Sequence, residues 1–116
     1  MTKAHYLVLA VIVLTVGCSS STELANPPWV WKLIVQFQLQ PVGNPPQSIW
    51  QYEFDGKTVY YIPPQCCDML GSLYDAEGTY ICAPDGGLDG RGDGRCPNFL
   101  SERANERLVW KDFRAP

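Results

Sequence analysis

Three aspartates and four cysteines carry whatever chemistry this chain can do. Asp85, Asp89 and Asp93 recur every four residues in PDGGLDGRGDGRC, residues 84–96, a segment that also holds five glycines. Calcium takes six to eight oxygens from carboxylates and carbonyls, so the three aspartates are candidate ligands and calcium a candidate cofactor. The spacing argues against that use. An EF-hand loop places its acids at alternate positions and closes with a bidentate glutamate, whereas here the period is four and the segment has no glutamate to close it. Arg91 and Arg95 also oppose a bound cation. The other role for such aspartates is turn-making, in which the carboxylate accepts hydrogen bonds from backbone amides two residues on. Turn-making is the preferred reading, with no cofactor. Arg91-Gly92-Asp93 spells an integrin-binding tripeptide, but a three-residue match is expected by chance in this composition.

The cysteines are Cys66, Cys67, Cys82 and Cys96, with Cys18 near the start. No Cys-x-x-Cys pair exists, as a thiol oxidoreductase would carry, and the spacings do not resemble a zinc knuckle. An even number in an exported chain reads as a disulfide framework. Adjacent cysteines rarely bridge each other, so Cys66 and Cys67 are each expected to reach Cys82 or Cys96, in either crossed pairing. The one histidine, His5, lies in the leader, and the rest of the chain lacks the base of a Ser-His or Cys-His pair. Asp68 and Asp75 could do acid–base work in principle, but in a turn-rich sequence they read as caps and turn residues. The expectation is a protein that is not an enzyme.

The leader sets the compartment. Lys3 precedes the apolar run YLVLAVIVLTV, residues 6–16, and Gly17-Cys18 follows. A membrane span needs about 20 apolar residues, so the run is short for one and sits where the core of a signal peptide belongs. Its ending, LTVGC, resembles a bacterial lipobox, in which a cysteine is lipidated and becomes the new N-terminus. That resemblance implies lipidation at Cys18 and, with Ser19 next, transport to the outer membrane, facing the periplasm or the cell surface. The expected division is a signal peptide over 1–17, a tether over 18–28 and one disulfide-stabilised domain over 29–116. With Lys3 set aside, the nine basic residues become eight against twelve acidic ones. No basic run exists, which argues against nucleic acid as a partner; the membrane, through the lipid, and an envelope protein are the partners expected.

The elements that must position these residues follow from local pattern. In WVWKLIVQFQLQP, Val30, Leu33, Ile34 and Phe37 recur at helical spacing, while Val35, Phe37 and Leu39 alternate with glutamines as a strand would. Helix is the preferred reading for 29–40, capped by Asn26 with Pro27 at its first position. IWQYEFDGKTVYYI, residues 49–62, reads as a hairpin turned at Asp55-Gly56, because a type I′ turn needs positive φ at both positions. That register pairs Trp50 with Tyr61, Tyr52 with Val59 and Phe54 with Lys57. It places Trp50, Tyr52, Phe54, Val59 and Tyr61 on the core face, and Gln51, Glu53, Thr58 and Tyr60 on the other. A second hairpin is expected around Ala76–Gly78, then a short polar helix near 99–106 and an extended tail. The fold class is α+β: one N-terminal helix on a small antiparallel meander of two hairpins, stapled by disulfides.

Over residues 59–99 the chain resembles a small family of bacterial lipoproteins and secreted proteins of unknown function. The residues that carry the likeness are VYY, CCD, LYD, a turn glycine, IC, PDGG, GDG and CP, in that order. The resemblance implies a lipid-anchored envelope protein of unknown specific role and brings no activity with it. The reading is a non-enzymatic binding or structural module; the alternative is a metal-dependent module or enzyme built on 84–96.

Overall fold

The computed structural model describes Gly17 and residues 25–116. The expected signal peptide apart from Gly17, the expected lipidation site Cys18 and most of the expected tether lie outside the described residues. Helix α1 spans Pro28–Gln38, and the strands are β1 (Ser48–Phe54), β2 (Lys57–Ile62), β3 (Ser72–Asp75), β4 (Tyr80–Cys82) and β5 (Ala104–Lys111). A single turn of helix, α2 (Phe99–Glu102), precedes β5. The strands form one sheet in the order β4-β3-β2-β1-β5, antiparallel at every pairing. The class is α+β.

Helix wins over strand at 28–38, and prolines set its start. Pro27 is the N-cap and Pro28 the first helical residue, where a missing N–H costs nothing and a fixed φ helps. The helix therefore starts one residue later than the Asn26 cap predicts. Asn26 serves elsewhere, its Oδ1 accepting a hydrogen bond from Arg107 at 3.0 Å. The glutamine alternation does not build a strand, since Val30 and Ile34 both bury on one helical face.

The first hairpin has the expected register, Trp50 opposite Tyr61, Tyr52 opposite Val59 and Phe54 opposite Lys57. Asp55 and Gly56 have φ of 53° and 72°, as a type I′ turn requires. One face carries Tyr52, Val59, Tyr61, Leu73 and Cys82, closed by Phe99 from α2, with Trp50 and Phe54 packed against it. The other face is where the expectation fails. Tyr60 is buried, together with Ile49 and Ile62, under Val30 and Ile34 of α1. Trp29 meets the Tyr60 ring edge-on at 5.1 Å and donates its indole N–H to the Ala76 carbonyl at 2.9 Å. The sheet is thus covered on both sides, by α1 on one and by α2 with its flanking loop on the other. Two modest clusters replace the single core face.

The C-terminal segment also departs from the reading. The helix near 99–106 ends at Glu102, and the extended tail becomes β5, pairing with β1 from Ala104 to Lys111. Side chains tie that edge across the seam. Arg107 Nε donates to Gln51 Oε1 at 3.0 Å, Asn105 Nδ2 to Glu53 Oε2 at 2.6 Å, and Tyr52 Oη to Glu106 Oε1 at 2.7 Å. Partners more than fifty positions away leave no local trace in either segment.

Candidate functional site

The glycine-rich segment is a folded loop docked beside residues 66–71. Cys82 and Cys96 bridge each other, with Cα atoms 6.2 Å apart, and Cys66 and Cys67 form a second, adjacent pair. This overturns the expected crossed pairing. Cys82 ends β4 and is fully buried, while Cys96 packs on the same cluster one loop later. The two cysteines therefore face each other across the loop they close, whereas Cys66 and Cys67 are exposed in a turn outside that cluster. Backbone hydrogen bonds supply the tie to 66–71 that disulfides were expected to make. Gly71 N–H donates to Asp85 O at 3.0 Å, and Gly87 N–H to Met69 O at 3.1 Å.

Each aspartate of the loop is already engaged. Asp89 Oδ1 accepts from Arg91 N–H at 2.9 Å, and Asp93 Oδ1 from Arg95 N–H at 2.9 Å. Both are turns of the expected kind, with the amide two residues on. Asp93 Oδ2 also accepts from Ala83 N–H at 3.0 Å, which draws the loop back onto the end of β4. The Asp93 carboxylate is thus turned into the loop, so the Arg-Gly-Asp tripeptide is not displayed as a free motif. Asp75, in the second hairpin turn, does the same work for Glu77 and Thr79 N–H at 3.0 and 2.9 Å. Among the described residues no three acids, cysteines or histidines gather into a metal-binding group. Asp85, Asp89 and Asp93 do not converge on one point, so the calcium geometry is not built.

Asp85 differs from the other two. Its Oδ2 accepts a short hydrogen bond from Tyr61 Oη, and its Oδ1 is buried with no partner among the described residues. It occupies the space that any side chain at Gly71 would fill. Above the rings lies Arg103, with its guanidinium carbon 4.7 Å from the centre of Tyr52, 5.7 Å from Phe99 and 5.9 Å from Tyr61. Burial, reinforced by the bond to Asp85, pushes the Tyr61 phenol well above its ordinary value. Burial and then the bond to Glu106 push Tyr52 up to about 12. Both phenols stay protonated near neutral pH. They can donate hydrogen bonds, but neither can act as a base or a phenolate nucleophile there. The cluster pins the loop to the sheet.

Sequence reading missed this cluster because Tyr61, Asp85 and Arg103 belong to three separate local patterns. A cleft of about 600 Å³ lies between the two hairpin tips, lined by Asp55, Lys57, Thr58, Asp75 and Glu77 among others.

The acid response of the loop follows from these bonds. The N–H groups of Ala83 and then Arg95 hold the Asp93 carboxyl below the usual aspartate range. A depressed folded value contributes stability that is present above the unfolded value of about 3.9 and lost as pH falls through the lower, folded one. Urea midpoints taken from pH 7 down to pH 2.5 are expected to drop below pH 4, and Asp93→Asn is expected to flatten that drop. An unchanged slope in Asp93→Asn would place the acid sensitivity elsewhere.

No helix among the described residues is long and apolar enough to cross a membrane. A family model described as a domain of unknown function (DUF6970) matches residues 35–112, from the second half of α1 to the end of the sheet. No curated protein and no solved structure matches the chain.

Proposed function

We propose, from the premise that this chain belongs to the DUF6970 family, a domain of unknown function, that it is a lipid-anchored envelope protein acting by binding or by holding structure. Cys18 is the lipid attachment site. The anchor is in the outer membrane, and the domain faces the periplasm or the cell surface. The observation that carries this reading is the apolar run 6–16 ending in Gly17-Cys18, ten residues ahead of the first helix. The disulfide between Cys82 and Cys96 supports an oxidising compartment. A non-enzymatic role is supported by the carboxylates of the loop, which are spent on backbone amides and on Tyr61.

More than one acyl chain binds a membrane stably, whereas a single chain is marginal. Replacing Cys18 with alanine is expected to leave the protein unprocessed or to move it into the soluble fraction. Fractionation and the intact mass of the N-terminal peptide read the outcome. A variant that fractionates and weighs as before, apart from the substitution, would rule out lipidation at this cysteine.

A further inference from the structure

Helix α1 buries one side and leaves an apolar stripe on the opposite one. Trp31, Val35 and Leu39 follow one another at four-residue spacing, which stacks them along one line of a helix. They are 56%, 52% and 82% exposed. The inward side holds Val30 and Ile34, with Leu33 and Phe37 beside them. These outward residues belong to neither core cluster.

The C-terminal segment meets the end of the same helix. Arg114 donates to the carbonyls of Phe37, Gln38 and Gln40 at 3.2, 3.0 and 2.9 Å, and to Asp112 Oδ2 at 2.7 Å. It thereby caps the end of α1 with a cation, where the helix dipole favours one. Phe113, just before Arg114, is 81% exposed, with Lys111 Nζ 5.9 Å from its ring centre. Three large apolar side chains in line on one helix face of a small domain mark an interaction face.

We propose that this face rests on the lipid bilayer that carries the anchor, with Trp31, Val35 and Leu39 at the level of the headgroups. The inference rests on lipidation of Cys18. Nine residues lie between Cys18 and Pro28, and the ten steps of chain reach at most about 35 Å whatever their conformation. An 11-residue helix is about 16 Å long, so every part of α1 stays within reach of the surface. The bilayer is therefore the partner present at the highest local concentration.

Charge agrees with that occupant. α1 contains no acidic residue, only Lys32 and glutamines beside its apolar positions, and the carboxylate at its C-terminal end, Asp112, is buried and paired with Arg114. Tryptophan suits the interface because its ring is apolar while its N–H finds water or headgroups. Trp31 lies outward, whereas the Trp29 N–H is taken by Ala76. With no basic cluster, the contact is hydrophobic and tolerates salt.

The test places the purified, processed protein in phosphatidylcholine vesicles whose acyl chains carry bromine, a tryptophan quencher. The chain has four tryptophans, so a partial loss of emission is expected, absent in Trp31→Phe. The triple variant Trp31→Ser, Val35→Ser, Leu39→Ser should still float with the vesicles through its lipid, yet lose the quenching. Retention of the Cys82–Cys96 peptide in that variant verifies that it folds. A protein with the acyl mass shift that floats but shows no quenching overturns this inference alone. A protein lacking the acyl mass overturns the anchor and the inference together. Unquenched emission with a cross-linked dimer that the triple variant loses assigns the face to a second copy and likewise overturns it.

Discussion

Alanine in place of Phe99 is expected to remove about 3–5 kcal/mol of folding stability, the range for large aromatic truncations in a core. The Phe99 ring is fully buried and meets Tyr52 and Phe54 edge-on at 5.6 and 5.3 Å, with Tyr61 tilted at 5.3 Å. It closes the sheet face opposite α1. Helix α2 has four residues, far too few to be stable without tertiary packing, so removing its anchor also frees the turn that aims β5 at β1. Small domains have a total stability of about 5–15 kcal/mol, and a loss of this size takes a large share of it. Leu100, the next residue, is 44% exposed, and Leu100→Ala is expected to stay within about 0.5 kcal/mol. Urea unfolding of the two variants reads the contrast. Similar losses in both would mean that Phe99 does not close this core.

Removal of the Cys82–Cys96 bridge by serine at both positions should cost about 3 kcal/mol, the chain-entropy value for a loop of this size. The two cysteines are fourteen positions apart, so the bond restrains a sizeable unfolded loop. The Cys66–Cys67 bond joins neighbours and closes almost no chain, and serine at both should therefore cost much less. The comparison also reports connectivity. Crossed pairing would make both double variants cost several kcal/mol, since each would remove both long loops. Peptide mapping without reduction should recover 82 joined to 96, and 66 with 67 inside one peptide. A fragment linking 66 or 67 to 82 or 96 would contradict the pairing.

How much of this was legible beforehand depended on the range of the interactions. Hairpin β1–β2 was readable down to its register because alternation and the Asp55-Gly56 turn both act within a few residues and agree. The roles of Asp89 and Asp93 were readable for the same reason, since an Asx turn is a contact two residues long. Helix against strand at 28–38 was close, because the glutamine alternation and the helical spacing use the same apolar residues. The prolines at its start tilt the choice and burial of Val30 with Ile34 completes it.

What the sequence alone determined is therefore local: the α+β class, the first hairpin, the turn chemistry of the glycine loop, and the apolar run ending at Cys18. Tertiary structure decided which cysteines meet, that both sheet faces are covered, that the C-terminal segment becomes β5, and that Tyr61 holds Asp85. It also decided that Trp31, Val35 and Leu39 face outward. Each of those depends on partners far away along the chain, such as Arg107 with Gln51 or Phe99 with Tyr52. Loop closure on that scale is driven by burial of the whole sheet, not by any short pattern. Adjacent cysteines could not be paired from spacing, because the choice followed from where β4 ends and where the loop returns.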